Sequence, residues 1–129
     1  IEKKQTNYVF AHYPIKGKTT FLSDVGYCVY KNYPDKYWDF NDYLFTADKD
    51  YVIDPANTDS ILEKFGFDKN KIDECVNDPG TKNVVENQIK ELNKTNIYGT
   101  PTIFINGKAF VGPKPYRVYR SAINKFIFF

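Results

Sequence analysis

The chain has 129 residues, 18 basic and 16 acidic, for a formal net charge of +2, with 42% hydrophobic and 18% aromatic residues. That length supports one domain with one core, and the aromatic share excludes a disordered chain. No long run of one charge sign marks a nucleic-acid platform, and no stretch approaches the roughly 20 apolar residues that span a bilayer.

Residues 7–13 read Asn-Tyr-Val-Phe-Ala-His-Tyr before Pro14. Aromatic and β-branched residues dominate, so a strand is predicted there, and Pro14 ends it for want of an N–H. A helix is predicted over 19–31, with Phe21, Leu22, Val25, Cys28 and Val29 at helical spacing. Pro34 opens another helix, where a missing N–H costs nothing, with Tyr37, Trp38, Phe40, Leu44 and Phe45 as its apolar side. Residues 46–57 read as a polar loop. Asn57 or Thr58 can cap a short helix carrying Ile61, Leu62 and Phe65, stopped by Gly66. Asp68 can cap the next, with Ile72, Cys75 and Val76. Asp78-Pro79-Gly80 signals a turn, followed by a helix over 82–95 with Val85, Ile89 and Leu92 inward.

The period then changes. Thr102 to Ile105 is a predicted strand and Asn106-Gly107 a strong hairpin signal. Lys108 to Val111 is the return strand, ended by Gly112-Pro113. A last helix over 115–127 carries Tyr116, Tyr119, Ile123 and Ile127. The chain contains no Met and no signal-peptide pattern, and both termini read as edges of a mature form or a fragment. With two cysteines outside any C-x-x-C and a single His, a zinc site of the usual Cys/His kind cannot be assembled.

The segment Gly99-Thr100-Pro101-Thr102-Ile103-Phe104-Ile105-Asn106-Gly107 resembles the cis-proline loop and following hairpin of the thioredoxin superfamily. The long helical stretch ahead of it resembles the insertion of the DsbA-like branch, Tyr8 to Pro14 the strand before that insertion, and Trp38 to Phe45 one of its early helices. The resemblance implies an α/β thioredoxin-like fold in a single domain, 1–129, with a helical insertion over about 18–80 and a cis-proline loop and hairpin over about 97–112. It implies thiol–disulfide exchange on protein substrates outside the cytoplasm. No cofactor, metal or nucleic acid is implied; a redox partner protein, membrane-bound or not, is. Gly99, Thr100 and Pro101 are the substrate-binding candidates, with Thr100 offering its backbone to an extended peptide.

The family's reactive C-x-x-C opens a helix whose N-terminus stabilises the thiolate. This sequence has no such pair, so no residue in it is a catalytic candidate. The N-terminal strand and that helix are expected ahead of Ile1. A second chain supplying them, or a domain without a redox role, are the alternatives. Two other functions remain open beside the oxidoreductase: a redox-inactive peptide-binding or chaperone module, and a glutathione-using enzyme with Ser in place of the reactive Cys. Cys28 and Cys75 lie on apolar helix faces and read either as a structural disulfide or as two buried thiols. The family's oxidising compartments favour the disulfide. His12 is expected to have a packing or surface role. Lys108, Lys114, Arg117, Arg120 and Lys125 are expected to form a solvated face, and Phe126 to Phe129 to pack on the sheet.

Overall fold

The structure, a computed structural model, describes residues 6–14 and 17–127. It divides into two compact units, residues 12–90 and residues 1–11 with 91–129.

The 12–90 unit is helical. A short 3-10 turn leads into α1, Thr20–Asn32. A second turn at Pro34–Lys36 leads into α2, Tyr37–Thr46. Then come α3, Lys49–Val52, α4, Thr58–Lys64, and α5, Lys69–Asn77. The helix α6, Pro79–Asn93, ends just past the unit's boundary. Among the described residues the buried hydrophobic core belongs to this unit: Phe40, Leu62, Ile72, Val29 and Cys28 are each at most 1% exposed. An aromatic cluster fills one side. Tyr33 stacks on Phe67 at 4.6 Å, and Phe40 meets Phe65 and Phe67 edge-on at 5.6 and 5.7 Å. Such pairs add about 0.5–1.5 kcal/mol beyond the area they bury.

Local chemistry sets the helix ends. The α4 helix stops in a left-handed glycine, Gly66 at φ 69°. Phe67 N donates to Leu62 O and Gly66 N to Glu63 O, the paired bonds of a Schellman ending. Asp68 then caps α5, its carboxylate accepting from Asn70 N and Lys71 N. Asp78 accepts from Gly80 N at 2.7 Å and Pro79 is already the first residue of α6. The predicted turn is therefore a helix start, with proline in the first turn. Asn57 occupies the N-cap position of α4 without capping it, because its side chain donates to Tyr51 O instead. The polar stretch 46–57 is not all loop. Asp48 accepts from Tyr51 N and nucleates the single turn α3.

Three sequence expectations are corrected, two of burial and one of secondary structure. Trp38 is 47% exposed and Phe45 71% exposed. They are seven residues apart and so share a face, but that face lies about 80–100° from the buried Tyr37 and about 140–160° from the buried Phe40. Residues 7–13 are not a strand. Strand propensity describes fitness for a pleated, half-buried surface and does not by itself make a strand. Instead His12 N donates to the Gln88 side chain at 2.8 Å.

The second unit holds the sheet and the last helix. The strands β1, Thr102–Ile105, and β2, Lys108–Val111, pair antiparallel with Ile105 opposite Lys108. Asn106 and Gly107 have φ of 47° and 85°, the two positive values of a two-residue type I′ hairpin. The helix α7, Tyr116–Ile127, follows and packs on β1. None of its residues is fully buried, and Tyr116 is 76% exposed. Phe126 is also half-exposed, while Phe128 and Phe129 lie outside the described residues.

Candidate functional site

The hairpin fixes the segment that precedes it. Pro101 O accepts from Gly112 N at 2.8 Å, so the end of β2 closes back on the start of β1. Gly99 O accepts from the Thr102 hydroxyl. The Thr100–Pro101 peptide bond is cis. These two bonds occupy the carbonyls on either side of Thr100. Thr100 itself is exposed, and among the described residues neither its N–H nor its C=O has a partner. An exposed backbone donor and acceptor on one residue, held between two fixed neighbours, is a short template for an extended chain. The β1 edge facing away from β2 is likewise unpaired among the described residues. Tyr98, 86% exposed, stands beside the segment.

The three candidate residues are thus adjacent in one exposed segment, with different surroundings. Gly99 is half-buried, and a Cβ there would meet Val111 Cγ1 at an ordinary 4.0 Å, so close packing does not require glycine at this position. Thr100 and Pro101 are both exposed. Tyr119, which sequence reading marked only as an apolar helix position, supports the hairpin. Its hydroxyl accepts from Lys114 N at 3.0 Å and reaches Gly112 O at 3.5 Å. Its ring meets Phe110 edge-on at 5.9 Å. The hydroxyl's partners lie in the turn before the helix and left no periodic signal.

In the helical unit Cys28 and Cys75 are bonded and join α1 to α5, 47 residues apart in sequence. Neither belongs to a C-x-x-C and no free cysteine remains among the described residues. His12 packs its imidazole against Gly26, where an added Cβ would come within 2.9 Å of His12 Cε1. Burial holds the pKa of His12 below its ordinary value. An imidazole kept neutral by burial fits a packing role. Two shallow grooves mark the surface, one along Arg117, Arg120, Ser121, Asn124 and Lys125 of α7, the other beside Cys75. Neither is lined by Thr100 or Pro101. Among the described residues no group of three His, Cys, Asp or Glu could hold a metal ion, and no helix is long and apolar enough to cross a membrane.

This architecture, a β-hairpin entered through a cis-proline and flanked by helices with a large helical unit ahead of it, is a thioredoxin-like fold with a helical insertion. A thioredoxin family model matches residues 1–125, and the chain belongs to that family. The crystal structure of the thiol-disulfide exchange protein alpha-DsbA2 from Wolbachia pipientis superposes with a TM-score of 0.75 at 20% identity. The match covers 92% of this chain and 64% of that one. The crystal structure of a putative protein disulfide isomerase from Nitrosomonas europaea superposes with a TM-score of 0.62 at 13% identity, covering 88% of this chain and 59% of that one. The chain therefore spans less than two thirds of the length of either. At these identities the likeness establishes the fold, which is the DsbA-like variety of thioredoxin fold. No curated protein sequence matches the chain.

Proposed function

We propose that the protein acts in thiol–disulfide exchange on polypeptide substrates, and that this chain supplies the substrate-docking segment at Gly99, Thr100 and Pro101. The observation that carries the reading is the exposed, unpaired N–H and C=O of Thr100 in a chain of the thioredoxin family. An extended peptide laid along Thr100 would take both bonds in the manner of an added strand. Main-chain bonds of that kind give affinity with little demand on side-chain identity. A protein that meets many substrates by their thiols needs that tolerance.

The exchanging sulfurs in this reading are not Cys28 and Cys75, which lie in the helical unit far in sequence from the docking segment. In this reading the exchanging pair is a C-x-x-C expected ahead of Ile1, by resemblance to the family. The chemistry is attack of a substrate thiolate on an exposed disulfide, with a mixed disulfide as intermediate. Substrate polypeptides and a second redox protein that resets the pair are the partners, and the oxidising compartments outside the cytoplasm are the setting such chemistry needs.

The test is the intact mass of the natural, unprocessed protein with thiols labelled before and after reduction. A mass well above 15.1 kDa with two cysteines beyond Cys28 and Cys75 is the expected result. A natural protein with those two cysteines alone would remove the exchange reaction and leave a module that binds extended peptides.

A further inference from the structure

Thr81 is 2% exposed, one of two buried polar residues in the chain's described part. Its hydroxyl lies 3.5 Å from Cys75 Sγ and 3.9 Å from Cys28 Sγ, and these are its partners. Buried hydroxyls are normally matched to strong acceptors, because leaving one poorly bonded costs about 1–3 kcal/mol. A disulfide sulfur is a weak acceptor. A thiolate at the same position is a strong one, since hydrogen bonds to ionised groups are roughly twice as strong as neutral ones. The hydroxyl is therefore better matched to the opened pair than to the closed one.

The two sulfurs are also unequally placed. Cys28 is wholly buried, whereas Cys75 is 9% exposed and lines a shallow groove of about 340 Å³ with Lys31, Asn32, Lys71, Glu74 and Asp78. The groove's two ammonium groups and two carboxylates balance, so it selects for small size and not for charge.

We propose that Cys28–Cys75 is a second, reducible redox pair, opened at Cys75 by a low-molecular-weight thiol, with Thr81 holding the released Cys28 thiolate. The reductant's thiolate attacks Cys75 Sγ and forms a mixed disulfide there. The Sγ–Sγ bond breaks and its electron pair leaves on Cys28 Sγ. A second reductant thiolate attacks the reductant sulfur of the mixed disulfide and frees Cys75. The protein pair gains two electrons and, at its two thiols, two protons; two reductant thiols become one small disulfide. Thr81 acts as a positioning residue, turning its hydroxyl toward the departing sulfur. This pair is independent of the docking segment, and its behaviour stands or falls without reference to any C-x-x-C.

Reduced glutathione is the probe. The folded chain is treated without denaturant, trapped with N-ethylmaleimide, digested and mapped by mass. The expected product carries glutathione on the Cys75 peptide and maleimide on Cys28. Glutathione on Cys28, or no opening until denaturant is added, would overturn the proposal and leave an inert structural link. Thr81→Val keeps the shape and removes the hydroxyl, and should slow opening about tenfold, in line with the loss of one hydrogen bond to a charged group. An unchanged rate in a folded Thr81→Val protein would overturn the role of Thr81. If that variant does not fold, the map of the unaltered chain still decides which sulfur is attacked.

Discussion

Removing the link between Cys28 and Cys75 tests the energetics of the helical unit. The link ties residues 47 apart, and the loop-entropy relation gives about 4 kcal/mol for a closed loop of that length. The double replacement Cys28→Ala/Cys75→Ala also deprives the buried Thr81 hydroxyl of its sulfur partners, for a further loss of about 1 kcal/mol or more. A total near 5 kcal/mol is comparable with the whole stability of many domains, about 5–15 kcal/mol. Urea unfolding followed by the fluorescence of the single Trp reads it directly. Trp38 sits edge-on to Tyr37 at 5.1 Å and loses that neighbour on unfolding. With a slope of roughly 1.5–2 kcal/mol per molar urea, the midpoint should fall by about 2.5–3.5 M, or the variant should be unfolded without denaturant. A fall below about 0.5 M would refute the reasoning and mean that the unfolded chain is already as restricted as the closed loop.

Gly26→Ala should destabilise the fold by about 1–3 kcal/mol, because the new Cβ meets His12 Cε1 at 2.9 Å and the ring must shift; a thermal melt shows it. Stability should fall as pH drops below about 6.5, because burial lowers the pKa of His12 in the folded state and the unfolded chain takes up the proton first. His12→Gln should flatten that slope in melts between pH 7.5 and 5, while an unchanged slope would assign it to other groups. Asp68→Ala should cost about 1 kcal/mol by urea titration, since the carboxylate accepts from two N–H groups at the start of α5. Thr100→Pro removes the Thr100 N–H and should weaken peptide binding, while Thr100→Ser keeps the N–H and should leave binding within about twofold by isothermal titration.

Local signals were legible where one short stretch of chain holds all the partners of an interaction. Asn106-Gly107 carries both positive φ values of its turn, Gly66 closes α4 through bonds to Leu62 and Glu63, and Asp68 reaches the next turn of α5. Where two local signals compete, the reading slipped. Asp78-Pro79-Gly80 has turn residues, but Asp78 also caps and Pro79 also suits a first helical turn, so α6 starts three residues before the predicted 82. Trp38 and Phe45 are apolar yet one step out of phase with the buried face. Residues 7–13 carry strand propensity, which reports fitness for a pleated surface and not the presence of a strand.

At the candidate site the motif from Gly99 to Gly107 marked the segment, and the family resemblance gave it meaning. The unpaired state of Thr100 could not be read from sequence. It follows from two bonds that occupy the adjacent carbonyls, one of them from Gly112, thirteen residues past Gly99 and across the hairpin. The placement of the Thr81 hydroxyl against both sulfurs was hidden for the same reason, because the residues come from three helices, α1, α5 and α6.

The central claim is that an extended polypeptide docks on the backbone of Thr100. Its most direct test is an amide NMR titration of the labelled chain with a cysteine-containing peptide in extended form. The account predicts saturable shifts centred on the Thr100 and Thr102 amides and on Gly99, with the helices of residues 12–90 little affected. Shifts confined to those helices, or none at millimolar peptide, would contradict it.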